Sequence, residues 1–180
     1  MNLLEFGDKR LKKLKFFLKC IDAISEWVGK GASYLILPGI LILAWEVVSR
    51  YGFNNPTMWA HGTSQRIFAT YYILAGAYVL RHNQHITVDI IYNRFSLRTR
   101  SVLSVIGSIF FFIFCGVLLW KGIDFAWTSL SQLEPDETPW RAPLYPFKMM
   151  IPLGAFLILM QGLAKFIRNL ATAITGREDL

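Results

Sequence analysis

The sequence predicts an all-α integral membrane protein of four transmembrane helices, and three observations carry that expectation. Hydrophobic residues fill 54% of the 180 positions, more apolar surface than a soluble core of this length needs. They come in four blocks separated by short charged stretches. The basic residues behind the formal net charge of +7 sit mainly beside those blocks, so lipid and topology explain them better than nucleic acid. No nucleic-acid partner is expected.

Crossing the hydrocarbon core takes about 20 apolar residues in helical form. The first expected span, 27–49, runs from Trp27 to Ser49, with Lys30 close enough to its start to snorkel and Glu46 near its end. The second, 59–80, is the weakest. Its uninterrupted apolar part, Ile67 to Leu80, is too short alone, so it must recruit His61, Gln65 and Arg66. The third, 102–123, is the cleanest: Val102 to Trp120 holds no charge and lies between Arg98, Arg100 and Lys121. The fourth, 149–170, carries Pro152 in its first turn, where a missing N–H costs little, and Lys165 toward its far end.

Charge bias orients these spans. Residues 1–30 hold seven Lys and Arg, residues 81–101 hold four, and the segment from Lys165 onward holds three. The opposite side holds only Arg50, Lys121, Arg141 and Lys148. Basic residues favour the cytoplasmic side, so both termini are expected there, with the first apolar block retained as a signal-anchor.

Residues 9–26 precede the first span, with Leu11, Leu14, Phe17, Leu18, Ile21 and Ile24 at helical spacing and lysines on the other face. That pattern predicts an amphipathic helix lying on the anionic cytoplasmic leaflet of the phospholipid bilayer. A basic tail that only sets topology is a compatible reading. The expected outer loop, 124–146, contains Trp127, Trp140 and Tyr145 together with Pro135, Pro139, Pro143 and Pro146. Aromatic rings suit the headgroup level and prolines stiffen the chain, which favours a shaped platform over a freely solvated loop.

Enzymatic chemistry is not expected. No phosphate-binding glycine loop, cysteine pair or nucleophile–base spacing occurs, and Cys20 and Cys115 read as packing residues. His61, His82 and His85 stand near the ends of the second span rather than at mid-depth, which argues against haem. No cofactor or metal is expected. A lone transporter would need a polar path near the midplane, and Thr70, Tyr71, Ser104 and Ser108 offer little of one. The chain therefore reads as a partner of something larger. Glu46 and Arg66 are expected roughly 6–10 Å below the outer surface, where they either pair with each other or each meet a partner subunit. Independent snorkelling is the alternative.

Residue order then suggests a family. Arg50-Tyr51-Gly52-Phe53-Asn54, Pro56, Trp59, Gly76-Ala77 and His85-Ile86-Thr87-Val88-Asp89 follow one another in a way that resembles the small membrane subunit, DctQ, of tripartite ATP-independent periplasmic (TRAP) transporters. Trp140-Arg141-Ala142-Pro143-Leu144-Tyr145-Pro146-Phe147-Lys148, Ile151-Pro152-Leu153-Gly154 and Gln161-Gly162 are similar to a branch handling small organic acids and sugar alcohols. The resemblance covers about residues 28–170. One departure is His61-Gly62, where members commonly place a carboxylate soon after the tryptophan.

The resemblance implies a bacterial or archaeal cytoplasmic (inner) membrane. It also implies a large membrane subunit that couples solute to sodium, a periplasmic substrate-binding protein, and a small subunit acting as scaffold. On this view Arg50 and Tyr51 end the first span, Trp59 fixes the second, and His85 and Asp89 share a helical face. Trp140, Arg141 and Tyr145 form the docking or headgroup surface. The other classes left open are a structural or assembly subunit of a membrane redox complex and a quinone- or haem-binding subunit.

Overall fold

Pro38 has no N–H to offer the carbonyl of Tyr34, so a helix arriving from the N-terminal side is interrupted there. The computed structural model describes residues 3–82 and 97–175, with α1 over Leu3–Ser33 and α2 over Ile36–Gly52. The break is closed by tight bonds from Tyr34 N–H to the Gly31 carbonyl (3.2 Å) and from Leu35 N–H to the Ala32 carbonyl (2.9 Å). The expected boundary between residues 26 and 27 is not a helix boundary. Nothing from Lys9 to Ser33 forbids a helix, so the amphipathic segment and the start of the first expected span are one element.

Helix α3 covers Ala60–Arg81, α4 covers Leu97–Ser131 and α5 covers Tyr145–Thr175. All named elements among the described residues are helices. Among the described residues, three stretches are long and apolar enough to cross a membrane: Lys12–Gly52, Thr99–Ser131 and Tyr145–Thr175. Helix α3 has 22 residues, hence a length of about 33 Å, but its polar first turns keep it below that apolarity.

The expected loop 124–146 shrinks to 132–144. The first proline after α4 is Pro135, so α4 continues to Ser131 before it closes. Leu133 takes a left-handed φ of 47°, and Glu134 N–H reaches back to the Ser129 carbonyl at 3.1 Å. A short hairpin follows. Asp136 N–H donates to the Ala142 carbonyl (2.8 Å) and Leu144 N–H to the Glu134 carbonyl (2.9 Å). Helix α5 then starts at Tyr145, and Pro146 falls in its first turn, where an absent N–H leaves no bond unmade. Pro152 lies further inside α5 than expected, because the helix begins four residues before Met149.

Helices α3 and α5 form the centre: α5 packs on α3, α4 and α1, while α3 also packs on α1 and α2. Glycine permits the close approach. A Cβ on Gly154 of α5 would lie 2.2 Å from Ile73 Cγ2 and 2.9 Å from the Ile73 carbonyl oxygen on α3. Reciprocally, a Cβ on Gly76 of α3 would lie 2.7 Å from Ile158 Cδ1 on α5. Gly162 receives Phe111 of α4 in the same manner, and Gly29 of α1 receives Tyr78. Small residues at such crossings let backbones approach where lipid supplies no hydrophobic force. Much of α1 joins this bundle: Leu18 and Ile21 pack with Ala164 of α5, while Phe16, Phe17 and Ile24 remain exposed.

Gly154→Ala is expected to cost about 1–3 kcal/mol by overpacking. At Gly116 nothing lies within 4 Å of an added Cβ, so Gly116→Ala gains about 0.5–1 kcal/mol from helix propensity. Thermal unfolding of both variants in detergent measures the contrast, and equal shifts would contradict the crossing.

Candidate functional site

Polar side chains gather at the two ends of the bundle. At one end, near the midpoint of α1 and the C-terminal halves of α3 and α5, helix spacing sets Leu18, Ile21, Asp22 and Ser25 of α1 on one buried stripe. Gln161 of α5, 1% exposed, lies opposite. Ser25 Oγ donates to Gln161 Oε1 at 2.8 Å, and Gln161 Nε2 donates to Asp22 Oδ1 at 2.9 Å, so the buried amide is engaged at both of its atoms.

Arg168 lies two turns along α5 and gives Nη2 to Asp22 Oδ2 at 2.6 Å. Arg81, in the last turn of α3, donates Nη1 to the Asp22 carbonyl (2.8 Å) and to Glu26 Oε2 (2.5 Å). Lys30 also reaches Glu26, at 2.9 Å, rather than simply extending outward. One acidic turn of α1 thus ties α3 to α5. Both carboxylate oxygens of Asp22 are bonded, Oδ1 to Gln161 and Oδ2 to Arg168.

The other end carries the hairpin. Glu46, with its side chain 6% exposed, accepts from Arg50 one turn ahead and from both the N–H and the hydroxyl of Thr57. Arg66 of α3 pairs with Asp136 of the hairpin and lies 5.5 Å from the Phe147 ring centre. Thr138 Oγ1 donates to Asp136 at 2.8 Å; that bond first, and the Arg66 charge with it, keep the carboxyl below its usual range. Lys148 bonds Glu134 at 2.5 Å and stands 4.2 Å from the Phe125 ring. Trp59 and Trp140 meet with ring centroids 6.4 Å apart.

The expected Glu46–Arg66 pair does not form within this chain. Arg50, four residues from Glu46 on the same helix face, is the nearer cation, and the turn into α3 lays Thr57 on the second carboxylate oxygen. Arg66 faces the hairpin instead. Glu46, Arg50, Tyr51 and His61 line a cavity of about 370 Å³, and Tyr51 is 81% exposed. Tyr145 opens α5 and is half-buried, while Arg141 is exposed with a left-handed φ of 46°. His85 and Asp89 lie outside the described residues.

The Asp22–Gln161–Arg168 set was missed as a site in the sequence. Its signal was available as an acid, Asp22, with Ser25 one turn on, on a stripe that Leu18 and Ile21 otherwise make apolar.

Comparison with known proteins completes the picture. Residues 39–172 match the family model for the DctQ component of tripartite ATP-independent periplasmic transporters. The chain belongs to this family. It is also similar to the sialic acid TRAP transporter permease protein SiaT of Haemophilus influenzae (strain 86-028NP). The two are 26% identical over 123 residues, which is 65% of this chain and 20% of that protein. This DctQ-family chain therefore spans about a fifth of its relative's length.

Two outcomes follow from the geometry. Asp22→Asn removes the charge that Arg168 meets across the bundle and should cost about 1 kcal/mol or less, as for a partly solvated pair. Thermal unfolding in detergent at neutral pH checks it. Arg66→Gln should lower the unfolding temperature more than Arg50→Gln. The Arg66 side chain is 11% exposed and joins two elements, whereas that of Arg50 is 49% exposed and pairs within α2.

Proposed function

We propose that this chain is the small permease subunit of a TRAP transporter in a bacterial or archaeal inner membrane. It crosses the bilayer four times, with both termini and the basic face of α1 on the cytoplasmic side. Its role is to brace a large membrane subunit that couples solute uptake to sodium. The solute, a small organic acid or related compound, arrives on a periplasmic binding protein. The observation that carries this reading is the DctQ-family match over residues 39–172. A relative named for sialic acid, itself an organic acid, is in keeping with that solute class.

The physical properties of the chain suit a brace. Helix α4 keeps Phe110, Ile113, Phe114, Val117 and Trp120 exposed, and α2 keeps Leu37, Leu41 and Trp45 exposed. These faces are available to lipid and to a second membrane protein, while the polar ends hold the helices in register. Trp59, Trp140 and Arg141 stand at the hairpin end as the docking surface for the binding protein, with Glu46, Arg50, Tyr51 and Arg66 supporting it.

Co-expression with a large TRAP permease subunit from the same organism tests the proposal. The two polypeptides should co-elute in detergent, and Phe114→Arg on α4 should reduce that association. In proteoliposomes, uptake should need both chains, a sodium gradient and the loaded binding protein. Uptake by this chain alone would overturn the reading. Trp140→Ala combined with Arg141→Ala is expected to weaken binding-protein affinity about tenfold, each contact contributing about 1 kcal/mol.

A further inference from the structure

A second cavity, of about 200 Å³, opens between the C-terminal half of α5 and the N-terminal half of α4. Lys165 and Asn169 of α5 line one wall, and Ser104 and Gly107 of α4 the other. Leu103 and Phe111 supply apolar surface. Among the described residues, none that lines the cavity is acidic and Lys165 has no ion-pair partner. A half-buried ammonium with no acid among the described residues around it is an unfavourable arrangement unless an anion joins it.

The surroundings indicate which anion. Donors here are an ammonium, a hydroxyl and an amide, the set that hydrogen-bonds a phosphate oxygen cluster. Leu103 is 39% exposed, and one and two turns further along the same side Ile106 and Phe110 are 52% and 72% exposed. The cavity therefore continues into an outward apolar rail on α4. Gly107 keeps its mouth open, since nothing lies within 4 Å of a Cβ placed there. A polar pocket for phosphate leading to an apolar track fits a molecule with a phosphodiester at one end and an acyl chain at the other.

We propose that the α4–α5 cavity binds the phosphodiester of an anionic membrane phospholipid, with Lys165 as its counter-ion and an acyl chain along Leu103, Ile106 and Phe110. Basic pockets between membrane helices on the cytoplasmic side are where such headgroups collect. The inference rests on placing α4 and α5 in the bilayer and stands apart from the transport role.

The test is native mass spectrometry of the full chain in detergent, titrated with dioleoyl phosphatidylglycerol, dioleoyl phosphatidylcholine or inorganic phosphate. The parent should retain phosphatidylglycerol about fivefold more tightly than phosphatidylcholine. Lys165→Gln should lower phosphatidylglycerol retention about fivefold, and Lys165→Arg should restore most of it. Gly107→Leu should block the mouth and abolish retention, while Lys121→Gln, at the other end of the span, should change nothing. Circular dichroism and elution volume confirm that each variant is folded. Unchanged retention in both Lys165→Gln and Gly107→Leu would overturn the site. Equal binding of the two lipids would overturn the anionic preference, and displacement of lipid by millimolar phosphate would assign the cavity to a soluble anion instead.

Discussion

Reciprocal insertion of isoleucine over glycine between α3 and α5 sets the spacing on which the rest of the bundle depends. Ile73 sits over Gly154 and Ile158 over Gly76, so each helix supplies both a projection and a gap. The two pairs are offset by three residues on α3 and four on α5, the separations that place residues on one helix face. Lipid tails are as apolar as leucine, so burying hydrocarbon gains little inside a membrane; close van der Waals packing has to hold the helices. With α3 and α5 at that distance, Phe111 reaches Gly162 and brings α4 in, and Tyr78 reaches Gly29 and brings α1 in.

The polar clusters depend on this spacing rather than creating it. Gln161 meets both Ser25 and Asp22 because α1 is seated against α5. Arg81 spans from α3 to the same turn of α1. At the hairpin end, Arg66 reaches Asp136 because α4 runs a further two turns past residue 123 and lifts the hairpin over α3. These charges lie toward the two ends of the bundle, where partial hydration lowers the desolvation cost that would apply at mid-depth. The middle of the bundle is left to shape, and both ends to electrostatics.

A bundle packed this way leaves its outer faces uncovered. Helix α4 contributes one edge to α5 and keeps a long aromatic and β-branched face outward, as α2 does on the opposite flank. Under the proposed function these faces are where lipid and a larger membrane subunit would meet the chain. The amphipathic start of α1 is divided between two tasks. Leu18 and Ile21 enter the bundle, whereas Phe16, Phe17 and Ile24 stay exposed beside the lysines.

Block length, hydropathy and the order of short motifs were enough to read the helical class and the family from the sequence, because both are written in contiguous residues. Trp59 was legible as fixing the start of a span and Trp140 as a docking or headgroup residue, but not their contact with each other, and Glu46 and Arg66 were legible as charges within spans. What the chain alone could not fix was pairing. Glu46 had Arg50 and Arg66 as possible cations, and only the turn carrying Thr57 decided for Arg50. Asp22 and Gln161 are 139 residues apart, a separation at which no periodicity speaks. Helix ends were likewise settled in three dimensions: Pro38 breaks α1 from α2, but how far α4 runs beyond its apolar core depended on a hairpin folding back to cap it. Local rules therefore determined the elements, and the closeness of two glycine-bearing helices decided which side chains became neighbours.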